Sequence, residues 1–190
     1  MGRYARAGEQ DAFGNGDRNP FFACLTAKYL VAVLDCRGVN KRNGGLSTFI
    51  DVEVRQILLD PAEPRDREGK AKAAVGDPRC WGLDHSKDAA WNDLQRFLAV
   101  GHDMDLRDMM ARDKATAEER ARTGKLGEVE ELAEWTVSPE QPLRGAQLVV
   151  HTYNKPTKGR GSDFTIHRWY RPENKALWQA ATAQDHRDDA

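Results

Sequence analysis

The sequence predicts a mainly β domain of five strands with a capping α-helix. Three observations carry that expectation. Residues 47–59 alternate apolar and polar side chains with period 2. Glycine- and asparagine-bearing connections follow the first strand-like run and separate the last two. One segment, 87–100, spaces its apolar residues as a helix does and lies between the third and fourth strands.

Taken in order, residues 1–20 are polar, with Gly14, Gly16 and Asn19-Pro20, and read as a flexible leader. The domain itself is expected over 21–172. Tyr29-Leu-Val-Ala-Val-Leu34 is β-branched and apolar, a first strand. Arg37 to Gly45 has the glycines, asparagines and basic side chains of a hairpin connection. In 47–59, Ile50, Val52, Val54 and Leu58 fall on one face and Phe49, Asp51, Glu53 and Arg55 on the other. Residues 61–78, rich in proline and charge, read as a flexible connector before a short strand at 79–83. Ser86 is placed to cap the helix over 87–100, which Gly101 ends. A charged stretch at 105–134 predicts a solvent-facing helical insertion. Strands at 147–153 and 164–171 follow, and 173–190 reads as a short helix and a weakly acidic tail.

Two long strands, a short strand, a helix and two more strands form the element order of the OB-fold, a five-stranded, partly open barrel. That is the predicted architecture, with the charged insertion placed between the helix and the fourth strand.

Composition narrows the function. No apolar run approaches the ~20 residues of a membrane span, and the first ten residues hold no apolar signal core. The cysteines, Cys24, Cys36 and Cys80, are odd in number and far apart, which favours a reducing compartment over a disulfide framework. A cytoplasmic location is therefore expected. The histidines have no metal-ligand spacing, so neither metal nor cofactor is expected. Net charge is −1, so a cationic surface has to be local.

The connection after the fourth strand concentrates such charge. Lys155, Lys158 and Arg160 sit among glycines, and Tyr153, His167 and Trp169 flank them on the adjoining strands. Arg37, Lys41 and Arg42 occupy the connection after the first strand, and Phe49 puts a ring on the polar face of the second. Cations for phosphates beside flat rings for bases are the recipe for holding single-stranded nucleic acid. These ten residues are the candidate site, with Tyr29 as a further ring. If Phe164 and Ile166 face the core, strand parity puts Thr165, His167 and Trp169 together on the opposite face.

Asn19-Pro-Phe-Phe22, Lys28-Tyr-Leu-Val-Ala-Val33, Gly44-Gly-Leu-Ser-Thr-Phe-Ile50 and Asp163-Phe-Thr-Ile-His-Arg-Trp169 together resemble small bacteriophage single-stranded DNA-binding proteins with an OB-fold core. The resemblance covers 19–60 and 80–172. It implies non-catalytic, sequence-tolerant protection of replication, recombination or repair intermediates in a host bacterial cytoplasm. It leaves room for replication or recombination proteins as partners, and for self-association. Such proteins often end in a strongly acidic tail; here only Asp185, Asp188 and Asp189 stand near the end, with Arg187 among them.

Two alternatives stand beside it. A non-catalytic assembly module of a phage replication or virion complex would use the insertion for protein contacts. A magnesium-dependent nuclease would use Asp35, Asp51 and Glu53, because i and i+2 share a strand face. Arg55 follows Glu53 at the wrong spacing for the acid-x-lysine pattern of restriction-like nucleases. No P-loop, dinucleotide fingerprint or nucleophile elbow is present.

Overall fold

A computed structural model describes residues 22–23, 25–40, 46–67, 69–85, 87–115, 121–124, 126–156 and 163–181. The strands are β1 (Ala27–Asn40), β2 (Leu46–Leu59), β3 (Pro78–Asp84), β4 (Gln147–Pro156) and β5 (Asp163–Tyr170). The helices are α1 (Asp88–Gly101), α2 (Leu106–Ala115), α3 (Glu128–Thr136) and α4 (Lys175–Ala180). The strands form one antiparallel sheet in the order β3-β2-β1-β4-β5. The fold is thus mainly β, as expected. Among the described residues no ladder joins β3 to β5, so the sheet is open where a barrel was expected. Closure is a pairing between edges remote in sequence, which no local pattern encodes. No described helix is long and apolar enough to cross a membrane.

Two compact units share these strands, one holding Leu34–Asp51 and Trp81–Ala146, the other 22–33, Val52–Cys80 and 147–181. In the first, the helices bury one another. Leu94, Phe97 and Leu98 of α1 are sealed, and Trp81 of β3 meets Phe97 edge-on at 6.1 Å. The helix caps the core as its spacing predicts. Lys87, and not Ser86, occupies the residue before it; Ser86 lies outside the described residues. The insertion is not wholly solvent-facing. Met109 of α2 and Val129 and Ala133 of α3 are buried, forming a narrow stripe hidden among charges. The helices are tied by Arg112 and Glu128 at 2.8 Å. Trp135 belongs to α3, just beyond the predicted end of the insertion.

The first unit also completes the backbone of β1. Gln141, at φ +48°, accepts from Cys36 N–H through Oε1 and donates to the Cys36 carbonyl through Nε2, both at 2.8 Å. Arg144 Nε donates to the Leu34 carbonyl at 3.1 Å. Side chains here supply hydrogen bonds that a neighbouring strand would otherwise provide.

In the second unit β1 pairs with β4 from Ala27↔Thr152 to Ala32↔Gln147, and β4 pairs with β5 from Val149↔Tyr170 to Pro156↔Asp163. Antiparallel partners share a face, so Tyr29, Val150 and Trp169 form one layer, closed by Phe22 stacked on Tyr29 at 4.6 Å. Lys28, on the opposite face, is buried and donates to the Ala181 carbonyl at 2.7 Å just beyond α4. A cation suits that helix end, where carbonyls are left over. The end of the 61–78 connector packs on β2: Val54 N–H donates to the Asp77 carbonyl, Gly76 N–H to the Val54 carbonyl, and Ala73 is buried.

A tight steric constraint lies at Gly82 of β3. A Cβ there would stand 2.9 Å from Phe49 Cε1. Gly82→Ala should therefore destabilise the protein by about 1–3 kcal/mol, the usual cost of overpacking. Phe49→Leu in the same chain should recover part of that loss. Urea unfolding of both variants checks this, and a neutral Gly82→Ala would contradict the packing described.

Candidate nucleic-acid interface

Four of the ten expected site residues, Lys41, Arg42, Lys158 and Arg160, lie outside the described residues. Lys155 falls within β4, its backbone paired with Phe164. The remaining five are positioned by the strands, and two clusters emerge, one in each unit.

In the first unit Arg37 is the centre. It belongs to β1 and not to the following connection, because the strand continues to Asn40. Its Nη2 donates to Asp51 Oδ2 at 2.6 Å, and its Nε lies 3.3 Å from Asp35 Oδ2. Asp35 also meets Arg144 Nη2 at 3.2 Å. The two arginines and two aspartates balance in charge. The guanidinium carbon sits over the Phe49 ring, 5.8 Å from its centroid.

Phe49 was expected to expose its ring on the polar face of β2. It does occupy that face, with Ile50, Val52 and Val54 fully buried on the other. The ring itself is only 7% exposed, lodged against Gly82 and beneath Arg37. Burial, followed by Asp35 and Asp51, pushes the Cys36 thiol up to about 12, so it remains protonated and unreactive at neutral pH.

In the second unit Tyr153 and Trp169 are buried, at 3% and 5% exposure. Trp169 does not lie on an exposed face of β5. Trp169 stands opposite Val150 and His167 opposite Thr152, on the layer that holds Tyr29, itself 2% exposed. Both faces of β4 are apolar in sequence, which removed the usual clue to orientation. Arg168, outside the expected set, shares the other face with His151. The exposed aromatic patch foreseen from sequence is therefore absent among the described residues.

The acidic row of the nuclease alternative is also engaged otherwise. Asp35 and Asp51 hold Arg37, and Glu53 pairs with Arg55 at 2.8 Å. No three His, Cys, Asp or Glu side chains gather as a metal site among the described residues. Sequence reading missed Arg144 and Gln141, which reach β1 from more than a hundred residues away. The Asp35–Arg37 pair was legible, since residues two apart share a strand face.

Burial pushes the His167 imidazolium down to about 3, its Nε2 being sealed from solvent. The unfolded chain titrates near 6.5, so it takes up this proton first as pH falls. Stability from His167 is intact above about pH 6.5 and is lost toward pH 3, with a slope approaching about 1.4 kcal/mol per pH unit. His167→Gln should flatten the stability–pH curve by that slope between about pH 6 and 4. Denaturant unfolding across that range measures it, and parallel curves for the two proteins would exclude a sealed, neutral imidazole.

Comparison with protein-family models returns no match, and comparison with curated proteins returns none either.

Proposed function

We propose that this chain is an OB-type protein that binds single-stranded DNA with little sequence preference. The observation that carries the reading is the strand order β3-β2-β1-β4-β5 with helices inserted between β3 and β4. An OB barrel, unrolled at its β3–β5 seam, has this order. In such folds the β1–β2 and β4–β5 connections serve as ligand-contacting fingers. Here those connections carry Lys41 and Arg42 in one and Lys158 and Arg160 in the other. In this reading they neutralise backbone phosphates, and the protein shields exposed strands during phage replication, recombination or repair without catalysis. Arg168 on β5 adds a cation that the sequence reading did not include.

The assembly-module alternative draws on Trp135 and Met110, both 45% exposed on the helices of the insertion. The nuclease alternative draws on nothing comparable, because its aspartates are already salt-bridged to Arg37.

Fluorescence anisotropy with labelled single-stranded and duplex oligonucleotides, at two salt concentrations with magnesium present, tests the assignment. Single strands should bind at least about tenfold tighter, with log K falling linearly against log salt. Reversing Lys158 and Arg160 to glutamate should make that slope shallower by about 0.7 for each phosphate no longer neutralised. Equal affinity for duplex, or no binding, would reject the reading. Shortening of the oligonucleotide that disappears in Asp51→Ala would favour the nuclease.

A further inference from the structure

Independently of the single-strand reading, we propose that the exposed face of Trp135 is a docking point for a partner protein, receiving an arginine or lysine side chain from a basic segment. Trp135 stands in the last turn of α3 and is 45% exposed, whereas Phe49, Tyr153 and Trp169 are at most 7% exposed. Its ring is held on two sides. The indole Nε1–H donates to Glu140 Oε2 at 2.8 Å. His102 stacks on one face, with centroids 5.0 Å apart and planes 28° from parallel. The imidazole is itself anchored. The Thr136 hydroxyl donates to the Leu132 carbonyl at 2.7 Å, so its oxygen accepts from His102 Nε2–H at 2.8 Å. With one face on the imidazole and one edge on a carboxylate, the exposure belongs to the opposite face and the remaining edge. A ring fixed in this way loses little freedom when a ligand arrives.

Charge complementarity names the occupant. From Glu128 to Thr136, α3 holds four glutamates and no basic residue. Glu128 is matched by Arg112, as Asp35, Asp51 and Glu53 are matched by arginines elsewhere. Glu131, one turn before Trp135 on the same side of the helix, and Glu134, its neighbour, have no ion-pair partner among the described residues. Burial, followed by Glu130 and Glu131, raises the Glu134 carboxyl above its usual value. These carboxylates repel one another, and an arriving cation relieves that repulsion. The carbonyl end of α3 adds partial negative charge, with no lysine or arginine in the last turn to offset it. The indole face is the negative side of its quadrupole and holds cations better than other rings do. A guanidinium or ammonium is thus attracted by ring, carboxylates and helix end together, whereas a phosphate strand is repelled by the last two.

Titrating the isotope-labelled full chain with an oligoarginine peptide, and with an oligocitrulline peptide of equal length, tests this. Citrulline keeps the planar shape of arginine and lacks its charge. The probe is the Trp135 indole N–H resonance, assigned by its loss in Trp135→Leu. The arginine peptide should shift that resonance, and the citrulline peptide should leave it in place. At matched folded fraction Trp135→Leu should bind the arginine peptide about 2- to 5-fold more weakly, the span that a cation on an exposed ring supplies. Trp135→Phe keeps a ring and should retain part of that difference. Replacing Glu131 and Glu134 by glutamine should weaken binding more at low salt than at high salt. Equal affinity of Trp135→Leu and wild type overturns the proposal, because bare charge attraction would then account for binding. Equal affinity for the citrulline peptide overturns it too. A shift of the indole resonance by oligothymidylate but not by the arginine peptide would make the ring a base platform. A concentration-dependent shift without any peptide would assign the face to a second copy of the chain. Either result likewise overturns the proposal.

Discussion

The molecule depends on completing the hydrogen bonds of β1. A central strand of 14 residues carries more backbone donors and acceptors than one partner can satisfy. The ladder to β4 ends at Ala32. Beyond it the Cys36 amide and carbonyl take the side-chain amide of Gln141, and the Leu34 carbonyl takes Arg144. Gln141 adopts a left-handed backbone to do so, which is costly for a residue with a Cβ and persists only where its surroundings impose it. The turn before β4 thereby becomes part of the sheet it leads into. Continuation of β1 to Asn40 also puts Arg37 on a rigid strand and not on a loop. The Arg37 cluster depends on that extension.

Charge is distributed with the same economy. A chain of net charge −1 cannot rely on a general positive field. Its polar β2 face carries Asp51 and Glu53, each matched to an arginine, and Asp35 on β1 is matched to two. These pairs are partly solvated, so each adds little to stability. Their effect is positional. They hold guanidinium groups in place and neutralise the acidic row. The same pairing commits Asp35, Asp51 and Glu53 each to an arginine.

The parts legible in the sequence were those governed by local pattern. Ile50, Val52 and Val54 alternate with polar neighbours, and all three are fully buried. Trp81 and Phe97 meet where a helix was expected to cap the core. The order of elements along the chain was readable because hairpin connections and one amphipathic helix mark their boundaries locally. What escaped were relations between distant segments. Trp169 faces the Tyr29 layer because β4 is apolar on both sides, so alternation gave no direction. Phe49 is sealed by a glycine on another strand and an arginine on a third, and neither lies near it in the chain. Open edges at β3 and β5 were invisible for the same reason.

Burial of the rings changes what a binding surface on this fold must be made of. Aromatic platforms work by presenting a hydrophobic face to solvent, at some risk of non-specific association. Tyr29, Phe49, Tyr153 and Trp169 are at most 7% exposed, so on the proposed single-strand reading the contact would rest on cations more than on rings. Phosphate neutralisation is a local matter that a few loop lysines and arginines would supply, which a chain of net charge −1 still permits.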